Sequence, residues 1–141
     1  MELIFVIAML GILAAVAVPR YMDMGKEART SKIKAIGGSI ATAAKTAHGA
    51  ALVQGAGSSV NMDGVAVSLV NGYPAATAEG IGRAANIDAA ADGLSLTYSG
   101  GIAQFTISGE SASGGSLVCL VVYTQAVAGG MPQILTINSN C

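Results

Sequence analysis

The chain contains no tryptophan, a single histidine and two cysteines, and only 11% of its residues are charged. The one histidine, His48, is expected on a solvated helix face, and no serine, cysteine or acidic partner accompanies it in a recognisable catalytic motif. Small apolar and polar residues dominate instead, which is typical of a closely stacked and chemically unreactive surface. We therefore expect a protein that is not an enzyme.

The common ligand-binding motifs are missing as well. Gly100–Gly101 and Gly114–Gly115 are not followed by the lysine of a phosphate-binding loop. Asp88 and Asp92 do not have the spacing of an EF-hand calcium loop, so we interpret them as part of a solvated helix end. The lysines of the first third of the chain have no interleaved aromatic residues. We predict no cofactor, no metal and no specific nucleic acid.

The chain does have an N-terminal run of sixteen apolar residues, Leu3–Val18. Glu2 precedes the run, Gly11 lies within it and Pro19 ends it. Sixteen helical residues rise about 24 Å, short of the roughly 30 Å hydrocarbon core of a bilayer. A carboxylate at the edge of an apolar environment is costly, so Glu2 lies at a headgroup or pairs with a cation of another molecule. Gly11 and Pro19 disfavour helix by about 1 and 3 kcal/mol, so the helix between them is able to stretch or melt.

Three simpler interpretations of this run remain open. It could be a secretory signal peptide, since Ala15–Ala17 resembles a cleavage site, although Glu2 stands where such a peptide has Lys or Arg. It could be a single-pass membrane anchor with Glu2 at the interface. A buried core helix is disfavoured because apolar residues surround the helix on all sides.

Residues 2–21, ELIFVIAMLGILAAVAVPRY, resemble the N-terminus of a mature type IV pilin. The positions of Glu2, Gly11 and Pro19 carry the resemblance, which is close over this segment. Members of the family usually begin with a methylated phenylalanine a few residues before the glutamate. We therefore expect a leader peptide and a few further residues to precede Glu2 in the complete protein.

The resemblance implies roles for these residues and for partners. Glu2 would pair with the N-terminal amine of a neighbouring subunit, which neutralises a charge that is expensive in an apolar filament core. The stretch flanked by Gly11 and Pro19 would lose helix in the assembled filament. The implied partners are further copies of the chain in a helical filament, the pilus assembly machinery and the prepilin peptidase. The inner membrane would hold the subunit before assembly.

After Pro19 the pattern predicts that the helix continues to about Gln54, where Gly55 and Gly57 are stop signals. An apolar stripe recurs at spacings of three and four residues, and Lys32, Lys34, Lys45 and His48 lie mostly off it. The stripe comprises Ile33, Ile36, Ile40, Ala43, Ala44, Ala47 and Ala51. Gly37–Gly38 is expected to weaken the helix locally and to favour a bend. A single helix about 80 Å long has little use in an isolated domain, but it suits a filament.

The remainder of the chain is predicted to mix strand and helix. Val60–Val70 alternates around the turn-forming pair Asp63-Gly64, and Ala75–Asn86 is expected to form a short helix. Further strands are predicted at Leu94–Tyr98, Ile102–Ile107, Leu117–Tyr123 and Ile134–Ile137. The expected fold class is α+β, with a long N-terminal α-helix packed on a roughly four-stranded antiparallel sheet, as in pilins. Residues 1–19 would form the hydrophobic N-terminal helix segment, a transmembrane anchor before assembly and the filament core afterwards. Residues 20–141 would form the head with the amphipathic half of the helix.

The two cysteines are Cys119 and Cys141, the last residue. A bridge would fix a terminus that otherwise frays and would contribute roughly 3 kcal/mol of stability. Two free thiols, with Cys119 a small buried side chain, are the other possibility. An exported chain with an even cysteine count favours the bridge. The pilin resemblance implies the same pairing, because many type IV pilins close a C-terminal loop with a disulfide.

The charges divide the chain into two parts. Residues 20–50 contain six basic and two acidic residues, a net charge of +4, whereas residues 51–141 carry a net charge of −4. A basic stem and an acidic head would make neighbouring subunits electrostatically complementary.

A finer resemblance appears in the head, where Asn71–Thr77, Cys119 and Tyr123–Thr124 are similar to pilins of the mannose-sensitive haemagglutinin group. It implies a surface pilus used for attachment. The sequence thus predicts a secreted, cell-surface structural subunit that polymerises through its N-terminal helix. The alternatives are a type II secretion pseudopilin and a membrane-anchored periplasmic binding domain.

Overall fold

The computed structural model describes residues 2–108, 119–139 and 141, with the side chains of residues 19–23 left out. One helix, α1 (Glu2–Gln54), accounts for 53 of these residues, and its length is about 80 Å. It ends where Gly55 adopts a positive φ of 61° and the Ala56 amide donates to the Ala51 carbonyl over 2.9 Å. This bond is the 6→1 hydrogen bond of a Schellman motif. The predicted helix and its glycine stop are confirmed.

The second half of α1 is amphipathic in the way that the sequence predicts. Ile33 and Ile40 are completely buried, and Ile36 is half-buried beside them. Four alanines complete the buried stripe, namely Ala43, Ala44, Ala47 and Ala51. Alanine keeps the backbone of the helix close to the strands that it contacts.

Gly37 brings α1 close to the sheet. A Cβ atom built on Gly37 would lie 2.5 Å from Thr136 Oγ1, whereas one built on Gly38 would meet no atom within 4 Å. The helix continues through both residues. The two glycines therefore have different roles. Gly37 provides space for packing, and Gly38 faces outward.

Seven strands form two antiparallel sheets in the described part of the chain. The first sheet has the order β1-β2-β3 and the second the order β4-β5-β6-β7. Their bounds are β1 (Ser59–Met62), β2 (Val65–Val70), β3 (Tyr73–Pro74), β4 (Leu94–Ser99), β5 (Ile102–Ile107), β6 (Leu120–Thr124) and β7 (Gln133–Ile137). The predicted α+β class is confirmed, with the strand count larger than the expected four because the predicted hairpin at Val60–Val70 belongs to a small sheet of its own.

Between the sheets lies a five-residue π-helical segment, Ala78–Gly82, which we call the π-turn. It occupies part of the stretch for which a short helix was predicted. Thr77 begins it, since the Thr77 side chain accepts a hydrogen bond from the Gly80 amide over 3.0 Å. Leu117 and the residue after it, predicted as the start of a strand, lie outside the described residues.

Three hydrogen bonds connect the end of β6 to the small sheet. The buried Tyr123 hydroxyl donates to the Pro74 carbonyl over 2.7 Å. Gln125 Oε1 accepts from the Ala76 amide over 3.2 Å, and Asn71 Nδ2 donates to the Ala126 carbonyl over 2.9 Å. The first bond satisfies the buried Tyr123 hydroxyl, and together the three bonds hold the two sheets in a fixed relation.

We predict that Gly37→Ala destabilises the protein by about 1–3 kcal/mol, because its methyl group would force Thr136 or strand β7 to move. Gly38→Ala is the matched control, and it should be neutral or stabilising by up to about 1 kcal/mol. Urea unfolding of the full chain in detergent micelles measures both. Equal stability of the two variants would contradict the close contact of α1 with β7.

Alkaline pH should lower the free energy of unfolding through the ionisation of Tyr123. Burial, with a smaller contribution from Tyr73, raises the pKa of the Tyr123 phenol well above its usual value of 10.0. Above about pH 10 the unfolded chain loses this proton while the folded chain retains it, so the free energy of unfolding falls as the pH rises.

Tyr123→Phe should cost about 1 kcal/mol at neutral pH, through the lost hydrogen bond to Pro74. It should also reduce the alkaline loss of stability. The loss should not vanish, because burial followed by the charge of Glu79 also raises the pKa of Tyr98. Urea titrations at neutral and alkaline pH test this, and equal pH slopes for both proteins would refute it.

Candidate functional site

The first third of α1 projects away from the head without cover from the described part of its own chain. Every residue of Glu2–Val18 is exposed. The large apolar side chains keep most of their surface in contact with solvent, with Leu3 at 74%, Leu13 at 67% and Val18 at 58% exposure. A contiguous apolar surface of this extent on a single chain indicates an interaction site.

The exposed apolar side chains surround the helix. Consecutive residues at Leu3–Ile7, Met9–Leu10 and Ile12–Leu13 are exposed, so no rotation of the helix hides them all. By contrast, the buried stripe of the second half covers one face only. An amphipathic helix needs one neighbour, but a helix that is apolar all round needs several.

Glu2 is the one charged residue on this surface, and it lies in the first turn of α1. A carboxylate there interacts favourably with the helix dipole, by about 0.3–1 kcal/mol at an exposed site. That contribution would favour Glu2 even in an isolated helix. Enclosure of the apolar surface by neighbours would in addition require a cationic partner for the carboxylate.

Gly11 and Pro19 both fall within the continuous helix α1. A Cβ atom on Gly11 would meet nothing within 4 Å, so no contact within the described chain requires a glycine there. The side chain of Pro19 belongs to those left out, but any proline inside a helix removes one backbone hydrogen bond. The predicted loss of helix in this stretch concerns an assembled filament and not the single chain, so it stays a prediction. The domain boundary placed after residue 19 also falls inside α1.

The apolar segment was also expected to span a membrane. Across the residues that the structure describes, no helix combines the length and the apolar character that a bilayer crossing requires.

Cys119 and Cys141 form a disulfide, with Cα atoms 4.9 Å apart. The bridge is therefore confirmed, and the interpretation as two free thiols is wrong. Both residues are buried in the main hydrophobic core. The bridge joins the residue before β6 to the end of the chain across 22 positions, a span that contains β7.

Arg29 attaches the bridged terminus to α1. Its Nε atom donates to the Cys141 carbonyl over 2.9 Å, and the Arg29 carbonyl lies 3.9 Å from Cys119 Sγ. Residues 24–29 of α1 are exposed, and the first completely buried side chain after them is Ile33. The hydrogen bond from Arg29 therefore ties the bridged Cys141 to α1 near the point where the helix leaves the head. No sequence pattern marks Arg29, because its partner is 112 residues away.

The two aspartates considered for calcium are engaged with the backbone. Asp88 Oδ1 accepts from the amides of Ala90 and Ala91, over 2.9 and 3.1 Å. Asp92 Oδ2 accepts from the Asp88 amide over 3.0 Å. These bonds give both carboxylates a structural role in a turn. The described part of the chain holds no group of three or more potential metal ligands.

His48 was expected on a solvated face of α1, and this expectation is wrong, since the ring is half-buried. It stacks on Tyr73 with ring centroids 4.0 Å apart and planes 6° from parallel. Its Nδ1 atom lies 2.7 Å from the Gly72 carbonyl, to which it donates. The contacts position the β2–β3 turn against α1, which is a structural role.

The long N-terminal helix, the antiparallel sheet and the disulfide near the C-terminus are compatible with a pilin-like fold. No protein-family model, curated protein or solved structure matches the chain in comparisons with known proteins. The candidate functional surface is therefore the uncovered first third of α1, which we call the apolar arm (Glu2–Val18).

Removal of the disulfide by the double change Cys119→Ala and Cys141→Ala should lower the free energy of unfolding by about 3 kcal/mol. Arg29→Ala alone should cost about 1 kcal/mol, through the hydrogen bond to Cys141. Because both act on the same terminus, the effect of Arg29→Ala should shrink when the cysteines are absent. A double-mutant cycle by urea unfolding measures the coupling, and fully additive effects would contradict the joint fixation.

Proposed function

We propose that this chain is the structural subunit of a type IV pilus, polymerising through its apolar arm. One observation supports the proposal above the others. The arm is fully exposed, apolar on all sides and attached to a folded head by a continuous helix. A bundle of identical arms provides every arm with several apolar neighbours at once.

The energetics favour such a bundle. Burial of one large apolar side chain stabilises by about 1.5–3 kcal/mol, and the arm carries eleven that are more than one-third exposed. Only part of this sum survives the loss of freedom on association, but the excess is large. The arm is the first 17 residues of α1, and the head lies farther along the same helix. Subunits that bundle their arms at the axis therefore place their heads on the outside.

Glu2 sets the axial register of the arms. Among the residues of the arm it alone carries a charge, so its enclosure is favourable only where a cation meets it. In a filament of this kind the partner is the N-terminal amine of a neighbouring subunit. Displacement of one arm along another would leave both charges unpaired, which selects a single axial offset.

The wider biological role follows from the pilin resemblance. The subunit would enter the filament from the inner membrane, with the prepilin peptidase and the pilus assembly machinery as partners. The finished filament would be extracellular, would act without catalysis and would serve surface attachment. The similarity of Asn71–Thr77 to pilins of the mannose-sensitive haemagglutinin group supports attachment as its use.

Mutation of Glu2 tests the assembly role. Glu2→Ala should abolish filaments in the fraction sheared from cells, because the buried amine of the neighbour would lose its partner. Glu2→Gln should do the same, since it retains the shape of the side chain and removes the charge. Glu27→Gln is the matched control on the exposed part of α1, and it should leave filament yield unchanged.

The measurement is the ratio of sheared filament to total subunit, by immunoblot and electron microscopy. Normal filaments from Glu2→Ala would eliminate the register role of Glu2. A wild-type chain that stays monomeric in membranes would instead favour the anchored periplasmic binding domain. Short filaments confined to the periplasm would favour a secretion pseudopilin.

A further inference from the structure

The head has two lateral edges that differ in charge. The four-stranded sheet begins at β4 and ends at β7, so these two strands are separated by three strand spacings, or about 14 Å. We call the surface of the π-turn, residues 86–92 and β4 the acidic edge. The surface of β7 with the neighbouring face of α1 is the basic edge.

A concave site of about 490 Å³ lies at the acidic edge, between the π-turn and β4. Glu79 and Asp88 contribute carboxylates to its lining, and Tyr98 contributes a phenol. Two cations are also present at this edge and keep their charge: Arg83, which lines the same site and donates to the Ala66 carbonyl over 3.2 Å, and Lys32, which donates to the Asp92 carbonyl. With Asp92 the edge carries three carboxylates and two cations, so it is net negative while the opposite edge is positive. Asp88 is partly engaged in its turn, whereas the exposed Glu79 faces the cavity.

The backbone fixes the position of Glu79. Glu79 belongs to the π-turn, a rare geometry that is frequent at functional sites. Gly80 and Gly82 are both buried, and a Cβ atom on Gly82 would lie 2.9 Å from the Tyr98 hydroxyl. The π-turn is therefore pressed against β4 on one side. Burial and then the charge of Glu79 raise the pKa of Tyr98, which agrees with their proximity.

The basic edge carries Lys34 and Lys45, both exposed. They are eleven residues apart, so they project within about 20° of each other, about 16 Å apart along the helix. Lys45 borders an apolar cavity of about 210 Å³ with Tyr73, Pro132 and Ile134. No acidic residue lines this cavity in the described part of the chain.

We propose that the acidic edge of one copy contacts the basic edge of the next copy, with Glu79 and Asp88 facing Lys34 and Lys45. This inference rests on the proposed filament and names the contact between its heads. Two different edges meet, so the contact is heterologous, and repetition of it generates an open helix and not a closed dimer. Exposed ion pairs are individually weak and are screened by salt, so they select the lateral neighbour while the apolar arms supply most of the affinity.

Zero-length cross-linking of sheared wild-type filaments tests the contact. A water-soluble carbodiimide activates a carboxylate, a lysine Nζ atom displaces the resulting urea, and an amide forms with overall loss of water. Because Glu79 and Lys45 lie at opposite edges of one subunit, an amide between them must join two subunits. We expect peptides in which Glu79 or Asp88 is joined to Lys34 or Lys45, and no such peptides from the detergent-solubilised monomer.

The possible results separate this inference from the proposal on which it rests. Filaments in which Glu79 and Asp88 join only Lys32, or no lysine, would overturn the edge-to-edge contact and leave the pilus intact. If the wild-type chain yields no filaments at all, the proposed function fails, and the inference fails with it.

A charge exchange provides a second test that does not depend on cross-linking. Glu79→Lys and Lys45→Glu should each reduce sheared filament by about threefold to tenfold at low ionic strength, as expected for the loss of one exposed ion pair and a new repulsion. The double variant should restore most of the yield. Unchanged yields from both single variants would overturn the proposal, and monomer unfolding curves exclude misfolding as the cause of a loss.

Discussion

The structure depends on one constraint: a single continuous helix is packed on the head along one part of its length and is uncovered along another. Residues 33–51 of α1 bury a narrow stripe of isoleucine and alanine against the head, and that contact organises both sheets. Residues 2–18 belong to the same helix but have no such cover. Because the helix is continuous, the head does not cover its own arm, and the proposed filament would supply the missing neighbours.

The junction between these two parts of α1 has to be rigid if the arm is to keep a fixed position relative to the head. The C-terminal residue is bound there twice, through the disulfide to Cys119 and through its carbonyl to Arg29. Gly37 then allows β7 to lie close to α1 just beyond the junction. In the proposed filament, tension would pass from arm to head across this region. The covalent bridge ties the segments that flank β6 and β7 to each other, and the hydrogen bond from Arg29 ties Cys141 to α1.

Much of the fold could be predicted because it is encoded locally. The apolar stripe, the glycine stop at Gly55 and the turn at Asp63-Gly64 are patterns within a few residues, and all are found where expected. The contacts that were missed are long-range. Tyr123 meets Pro74 across 49 positions, and Arg29 meets Cys141 across 112, with no periodicity that marks either pair. The π-turn was missed because its geometry depends on close contacts of Gly80 with the backbone of Ala75 and of Gly82 with Tyr98, and no sequence pattern marks either contact.

The functional surface divides in the same way. The apolar arm was evident from the uninterrupted apolar run in the sequence. The charged edges of the head could be recognised only from the strand order, which places Glu79 and Lys45 on opposite sides. Electron cryomicroscopy of the fraction sheared from cells that produce this protein tests the central claim most directly. The account predicts filaments whose density fits this chain, with residues 3–18 of many subunits bundled at the axis and the heads outside. An empty sheared fraction, or filaments with the arms facing solvent, would contradict it.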